Sequence, residues 1–130
     1  MLNINQGKME KQTQQKLIAK LQKMAKRDVP FWEQMEEARK YESNPDNHPK
    51  TNIPLWNISC TMRDLSMYVN LGAIPTRGWK VSHVKHYFGI KGSGENLLNN
   101  FLEIYDTIMP LYSPTSYEKN HPEKWAELNS

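Results

Sequence analysis

Two segments with helical periodicity are joined by the stretch Leu71-Gly72-Ala73-Ile74-Pro75-Thr76-Arg77-Gly78-Trp79-Lys80-Val81-Ser82-His83-Val84-Lys85. On its N-terminal side, apolar residues recur every three or four positions, which predicts an amphipathic helix from about 61 to 71. Thr61 and Asp64 have the spacing of a capping box at the start of this helix, and Gly72 suits a left-handed position at its end. Pro75 lacks an amide hydrogen and cannot continue the helix. The stretch therefore predicts a helix, a turn and a second helix.

The second helix is predicted to begin at Ser82, whose hydroxyl can cap it, and to end at Gly89. Its apolar face consists of Val84, Tyr87 and Phe88. The residues expected to face outward are His83, Lys85 and His86. An apolar back and a cationic, hydrogen-bonding front are typical of a recognition helix, because the back must pack while the front meets phosphates and base edges.

A family resemblance rests on Gly72, Ile74, Pro75, Thr76, Arg77, Gly78, Trp79, Ser82 and Val84. With this pattern the stretch resembles the DNA-binding "recombinase" segment of large serine recombinases, from which it differs by the insertion of Ala73 before Ile-Pro-Thr. The resemblance is confined to the region from Gly72 to Lys85 and does not extend to the catalytic domain of that family. It implies a DNA-binding helix-turn-helix and implies nothing about strand cleavage.

Charge alternates along the 130 residues, although the formal net charge is only +3. Residues 1–27 hold seven Lys/Arg and one acidic residue, and residues 61–94 hold five and one. Residues 28–60 and 95–130 are net acidic. Two basic blocks can lie on one anionic partner while the acidic blocks face away, so the pattern favours a polyanion as partner.

Several protein classes are disfavoured by the sequence. No apolar run is long enough for a membrane span and the first residues are polar, so we expect neither membrane insertion nor a secretion signal. Cys60 is the single cysteine, which excludes an internal disulfide framework and fits a reducing cytoplasm. We therefore expect a cytoplasmic protein, in the host cytoplasm if its origin is viral.

Candidate catalytic and metal sites are sparse. His83 and His86 have a usable metal spacing but no companion motif, and the acidic residues Glu33, Glu36 and Glu37 fall on a predicted surface helix. No nucleophile elbow, phosphate-binding loop or dinucleotide fingerprint is present. The sequence predicts no enzyme activity, no metal and no cofactor.

The predicted fold is mainly α: a small helical domain with a central helix-turn-helix, an N-terminal helical hairpin and a C-terminal arm. Residues 1–44 are expected to form basic amphipathic helices, and residues 45–60 a Pro/Asn-rich linker in which Leu55 to Ile58 fit a short strand or a buried connector. Residues 61–110 are expected to hold the helix-turn-helix and a core helix that Ser93 caps and Pro110 stops. Residues 111–130 are expected to form an aromatic arm.

The functional hypothesis is a non-enzymatic DNA-binding protein with a regulatory or accessory role and double-stranded DNA as its partner. The residues expected to contact DNA are Arg77, Lys80, His83, Lys85, His86 and Lys91. Trp79 is expected to anchor the turn in the core rather than to read a base.

The alternative hypothesis is a small protein-interaction module, of the kind that suits phage or mobile-element modulators of a host protein complex. In this case the helix-turn-helix is only a packing scaffold, and a protein partner binds to Trp32, Trp56, Tyr112 and Trp125. A homo-oligomer is compatible with either hypothesis.

Overall fold

The computed structural model describes residues 9–42 and 53–130, and within these ranges the only regular secondary structure is helical. The helices are α1 (Lys11–Met24), α2 (Pro30–Glu42), α3 (Ile53–Leu71), α4 (Val81–Phe88), α5 (Gly94–Tyr112), α6 (Pro114–Asn120) and α7 (Pro122–Leu128). The prediction of a mainly α protein is confirmed.

The helices belong to two compact units. Unit 1 contains α1 and the segment Ile104–Ser130, and unit 2 contains the described part of Lys26–Glu103. Helix α5 contributes its beginning to unit 2 and its end to unit 1. The two helices of the expected N-terminal hairpin, α1 and α2, therefore belong to different units.

The core of unit 1 is rich in aromatic and long aliphatic side chains. Its buried members are Leu17, Met24, Ile104, Tyr105, Ile108, Met109, Tyr117 and Trp125. Hydrogen bonds join α1 to the end of the chain: the Thr13 hydroxyl donates to the Leu128 carbonyl at 3.2 Å, and the Glu10 amide donates to Asn129 Oδ1 at 3.1 Å. The segment expected to be an arm is thus packed, and it contains two short helices that Pro114 and Pro122 open.

The core of unit 2 is built around three phenylalanines. Phe31 of α2 lies 4.9 Å from Phe88 of α4, and Phe88 lies 5.2 Å from Phe101 of α5, between ring centroids. Helix α2 packs against both α3 and α4. The Tyr87 hydroxyl accepts a hydrogen bond from Asn57 Nδ2 at 2.9 Å and donates one to Gln34 Oε1, so one hydroxyl connects all three helices.

Helix α3 begins at Ile53, eight residues before the predicted start at Thr61. Pro54 lies in its first turn, where no amide hydrogen is needed and the fixed φ angle favours a helix. Pro54 and Ile58 are buried on the same side as Leu65, so tertiary packing extends the helix toward its N-terminus. The predictions of a capping box at Thr61 and of a strand or connector at 55–58 are wrong. Residues 45–52 of the expected linker lie outside the described residues.

Two further helix boundaries differ from the prediction. Helix α4 begins at Val81, and Lys80, not Ser82, occupies its N-cap position without a side-chain capping bond. Helix α5 continues through Pro110 to Tyr112. Proline at this place removes one hydrogen bond near the end of the helix, and the buried side chain of Pro110 offsets that loss by packing.

The predicted ends of the two helices at Gly72 and Gly89 are confirmed. Gly72 and Gly89 follow α3 and α4 with φ angles of 67° and 65°, in the left-handed region that side chains disfavour. At Gly89 a Cβ atom would also lie only 2.5 Å from Cγ1 of Val29, so the packing of the Val29 side chain on the Gly89 backbone adds a second requirement for glycine.

Candidate nucleic-acid interface

The connection between α3 and α4 contains a tight turn with Arg77 at its corner. The Trp79 amide donates to the Thr76 carbonyl at 3.1 Å, and Gly78 at the third position has a φ angle of 85°. A positive φ angle there is what a type II turn requires, and glycine supplies it without strain. Arg77 is exposed in this turn.

Trp79 holds the turn against α3. Its ring lies 5.1 Å from the ring of Tyr68, between centroids, and its side chain is half-buried. Trp79 thus packs against α3, but it lies outside the buried core in which we expected it to anchor the turn.

The whole connection spans residues 72–80, between the end of α3 at Leu71 and the start of α4 at Val81. This is longer than the turn of a compact helix-turn-helix, which has about three or four residues. Helix α2 packs against both α3 and α4, so these two helices are held together through α2.

Helix α4 exposes two histidines. His83 and His86 are three residues apart, which places them on one face, and both are exposed, whereas Val84 and Phe88 are buried. Lys85, which we expected to face outward, is half-buried. It lies three residues before Phe88 and therefore beside the packed face of the helix.

The remaining cations of this region are exposed. Arg77, Lys80 and Lys91 form no ion pair with any residue in the part of the chain that the structure describes. No Asp or Glu occurs between Asp64 and Glu95, which explains why acidic neighbours are lacking along the sequence. The loop that carries Lys91 is held by a hydrogen bond from Asn100 Nδ2 to the Lys91 carbonyl at 2.8 Å. We call residues 77–91 the basic segment.

Cations on α2, unlike those of the basic segment, form ion pairs with acidic residues of the same helix. Arg39 forms an ion pair with Glu36 at 2.9 Å, and Lys40 forms one with Glu37 at 3.7 Å. These charges are balanced within one helix, whereas those of the basic segment are available to an anionic ligand.

The four aromatic residues expected to bind a protein partner fall into two groups. Trp32 and Trp125 are only 5% and 8% exposed, so their assignment to an interaction surface is wrong. Trp32 packs edge-on against Phe31, and Trp125 packs against Tyr117. Trp56 and Tyr112 are 63% and 38% exposed, as an interaction surface requires.

Three exposed aliphatic residues were missed by the sequence interpretation. Ile53, Leu71 and Ile74 are 57%, 76% and 66% exposed. The signal that could have found Ile53 and Leu71 is the spacing of apolar residues on a second face of α3, but the assignment of 53–60 to a linker concealed it.

A polar cluster lies in unit 1. Asp106 accepts a hydrogen bond from the Tyr117 hydroxyl at 2.9 Å and pairs with Lys124 at 3.1 Å. The Tyr105 hydroxyl lies 3.0 Å from His121 Nε2. Burial raises the pKa of Tyr117, with a further contribution from the negative charge of Asp106. Burial also lowers the pKa of His121, Lys124 lowers it further, and Asp106 partly opposes both effects. With Lys124 and Asp106 both partly exposed, the cluster has the character of a structural ion pair.

No group of three or more His, Cys, Asp or Glu residues in ranges 9–42 and 53–130 is arranged to hold a metal ion. Among the described helices, none is long and apolar enough to cross a membrane. Comparison of the chain with known protein families, with curated proteins and with solved structures finds no match.

Proposed function

We propose that the protein is a non-enzymatic DNA-binding protein that contacts duplex DNA through the basic segment of unit 2. The observation that carries the proposal is the set of exposed cations without an ion pair in an acid-free stretch, Arg77, Lys80 and Lys91, next to the exposed pair His83 and His86. Exposed charges of one sign attract a polyanion, and release of the counterions condensed on the phosphates stabilises the complex.

The cations and the histidines have different roles in this proposal. Arg77 at the corner of its turn, Lys80 before α4 and Lys91 after it contact phosphates, and the long side chain of Lys85 reaches a phosphate from the flank of the helix. His83 and His86 face the groove, where imidazole nitrogens can hydrogen-bond to base edges. Phosphate contacts give affinity, and the two histidines give the sequence preference.

The proposal is tested by comparing two arginines of unit 2 that are both exposed. Arg77→Gln removes a charge that has no described partner, whereas Arg39→Gln removes a charge that Glu36 already balances. We expect Arg77→Gln to weaken binding to a fluorescent duplex several-fold and to reduce the salt dependence of log K by about one unit. Arg39→Gln should leave both quantities unchanged. An equal effect of the two substitutions, or no binding by the unsubstituted protein at low salt, would contradict the proposal.

The protein-interaction hypothesis is the second candidate, and the exposure of Trp56 favours it. Large exposed apolar side chains that lie near one another mark interaction sites in proteins. After the correction for Trp32 and Trp125, Trp56 and Tyr112 remain as exposed aromatic residues, and Trp56 has other exposed apolar residues beside it on α3.

A further inference from the structure

Helix α3 has a second apolar face in addition to the one that packs in unit 2. Ile53, Trp56, Cys60, Met67 and Leu71 follow one another at spacings of three, four or seven residues, which places them along one side of the helix. Ile53, Trp56 and Leu71 are exposed, and Cys60 and Met67 are half-buried. We call these five residues the outer stripe.

The outer stripe is distinct from the packed face of the same helix. Ile58 and Leu65 are fully buried at 0% exposure and lie in the unit 2 core. A surface helix needs one apolar face for its own core, so a second face of similar length calls for a separate explanation. Along the helix, the outer stripe extends for about 27 Å, at about 1.5 Å per residue.

Four residues of the outer stripe are placed symmetrically about one point of α3, one to two residues past the middle of the helix at Met62. The midpoint lies between Arg63 and Asp64, and Cys60 and Met67 are equally far from it, as are Trp56 and Leu71. Ile53 likewise has a counterpart in Ile74, which is 66% exposed just after the helix. A twofold antiparallel contact requires this property, because residue i of one copy meets residue j of the other and residue j meets residue i.

We propose that the outer stripe binds the outer stripe of a second copy of this chain, with the two α3 helices antiparallel. Trp56 then packs against Leu71 of the second copy, and Cys60 packs against Met67. Each large side chain meets one of similar apolar character, and four exposed aromatic or aliphatic side chains of each copy leave water.

The charges of α3 fit this arrangement. Arg63 and Asp64 are its only charged residues, and Arg63 Nε lies 2.9 Å from Asp64 Oδ1. In the antiparallel pair, Arg63 of each copy lies near the axis, beside Asp64 of both copies. The two positive charges at the centre are therefore balanced by two negative ones, and no other charge of α3 has to lose water.

This dimer does not depend on the proposed DNA binding. If the protein both dimerises and binds DNA, the dimer presents two copies of the basic segment related by a twofold axis. A duplex with two half-sites would then be the preferred ligand. The contact of one helix pair is small, so we expect a dimer that dissociates on dilution.

The mass in solution tests the proposal. The chain has a mass of 15.3 kDa, and we expect light scattering to show a rise toward twice that value between about 10 µM and about 200 µM, the range of a weak interface. Leu71→Glu should keep the protein monomeric throughout, because it places a charge in the outer stripe at a residue that is 76% exposed in one copy. Asn70→Glu adds the same charge at the neighbouring exposed position and should leave the dimer intact. A monomer mass for the unsubstituted protein at every concentration, or equal effects of the two substitutions, would overturn the proposal.

Cross-linking tests the direction of the two helices. With the helices antiparallel, Cys60 of one copy lies about 10 Å along the axis from Cys60 of the other, since they are seven residues apart in register. That distance is too long for a disulfide, whose Cα atoms lie within about 7 Å. Met67→Cys places a thiol opposite Cys60 of the second copy, so we expect mild oxidation to give a disulfide-linked dimer on a non-reducing gel.

Two controls complete the cross-linking experiment. Ser59→Cys also adds a second thiol but outside the outer stripe, and it should cross-link far less than Met67→Cys. The unsubstituted protein should not cross-link through Cys60. Efficient cross-linking through Cys60 alone would indicate parallel helices, and equal cross-linking of Met67→Cys and Ser59→Cys would indicate random collision; either result overturns the antiparallel arrangement.

Discussion

The C-terminal helices of unit 1 and helix α3 of unit 2 both carry large apolar side chains, but they bury them to different extents. Trp125 of α7 is 8% exposed and Tyr117 of α6 is 3% exposed. In α3, Trp56 and Leu71 are 63% and 76% exposed. The large side chains of the C-terminal helices are therefore covered within unit 1, whereas these two side chains of α3 face solvent.

The contrast shows that aromatic content alone does not identify an interaction surface. In unit 1 the rings of Tyr117 and Trp125 pack at a tilt of 59°, and the neighbouring polar groups have partners inside the unit, as between Tyr117 and Asp106. In unit 2 the core is filled by Phe31, Phe88 and Phe101, and the outer stripe is not part of it. What separates the two cases is whether the helix has another face that already fills the core.

The largest expected effect is the difference in unfolding free energy between the alanine variants of two tryptophans, one in each region. Trp125→Ala removes a buried ring and should lower the free energy of unfolding by about 3–5 kcal/mol. Trp56→Ala removes an exposed ring and should change it by no more than about 0.5 kcal/mol. Urea unfolding followed by circular dichroism measures both values, at a dilution where light scattering shows the monomer. If Trp56→Ala lowered the free energy of unfolding as much as Trp125→Ala, the contrast between a buried aromatic region and an exposed one would be contradicted.

A smaller loss of unfolding free energy is expected at acidic pH, and it should come from unit 1. The pKa of His121 is lowered in the folded protein, chiefly by burial. The unfolded chain therefore binds a proton at this residue first as the pH falls, which favours unfolding. Stability from this source is present above the usual pKa of histidine, about 6.5, and is lost progressively as the pH falls toward the lower pKa of the folded state.

The matched variant for this prediction is His121→Gln, which keeps a hydrogen-bonding side chain beside Tyr105 but cannot be protonated in this range. Between about pH 7.5 and about pH 5.5, on either side of the usual pKa, the unsubstituted protein should lose more unfolding free energy than the variant. Urea titrations at the two pH values give the difference. Equal losses would mean that His121 does not couple acid to the stability of unit 1.

Much of the helical structure could be predicted because local signals determine it. The apolar periodicity of α1 and of α5 and the breaks at Gly72 and Gly89 depend on neighbouring residues. Pro30 opens α2 at a position where proline needs no amide hydrogen, which is another feature that the local sequence determines.

The remaining features depend on tertiary contacts that a single sequence does not contain. The start of α3 at Ile53 follows from burial of Pro54 and Ile58, and the continuation of α5 past Pro110 follows from burial of that proline. Similarly, nothing in the local sequence distinguishes Trp125, which is buried, from Trp56, which is exposed. Of the candidate DNA-binding residues, Lys85 has the environment that differs most from the expectation, because its side of α4 packs in unit 2.

The salt dependence of duplex binding tests the central proposal most directly. Four cations of the basic segment, Arg77, Lys80, Lys85 and Lys91, are proposed to contact phosphates. The plot of log K against log salt concentration should therefore have a slope of about −3 to −4, at about −0.9 for each phosphate contact. Fluorescence anisotropy with a short duplex measures this slope. A value near that prediction, reduced by about one unit in Arg77→Gln, would support the proposal. The absence of binding at low salt, or a slope that Arg77→Gln leaves unchanged, would contradict it.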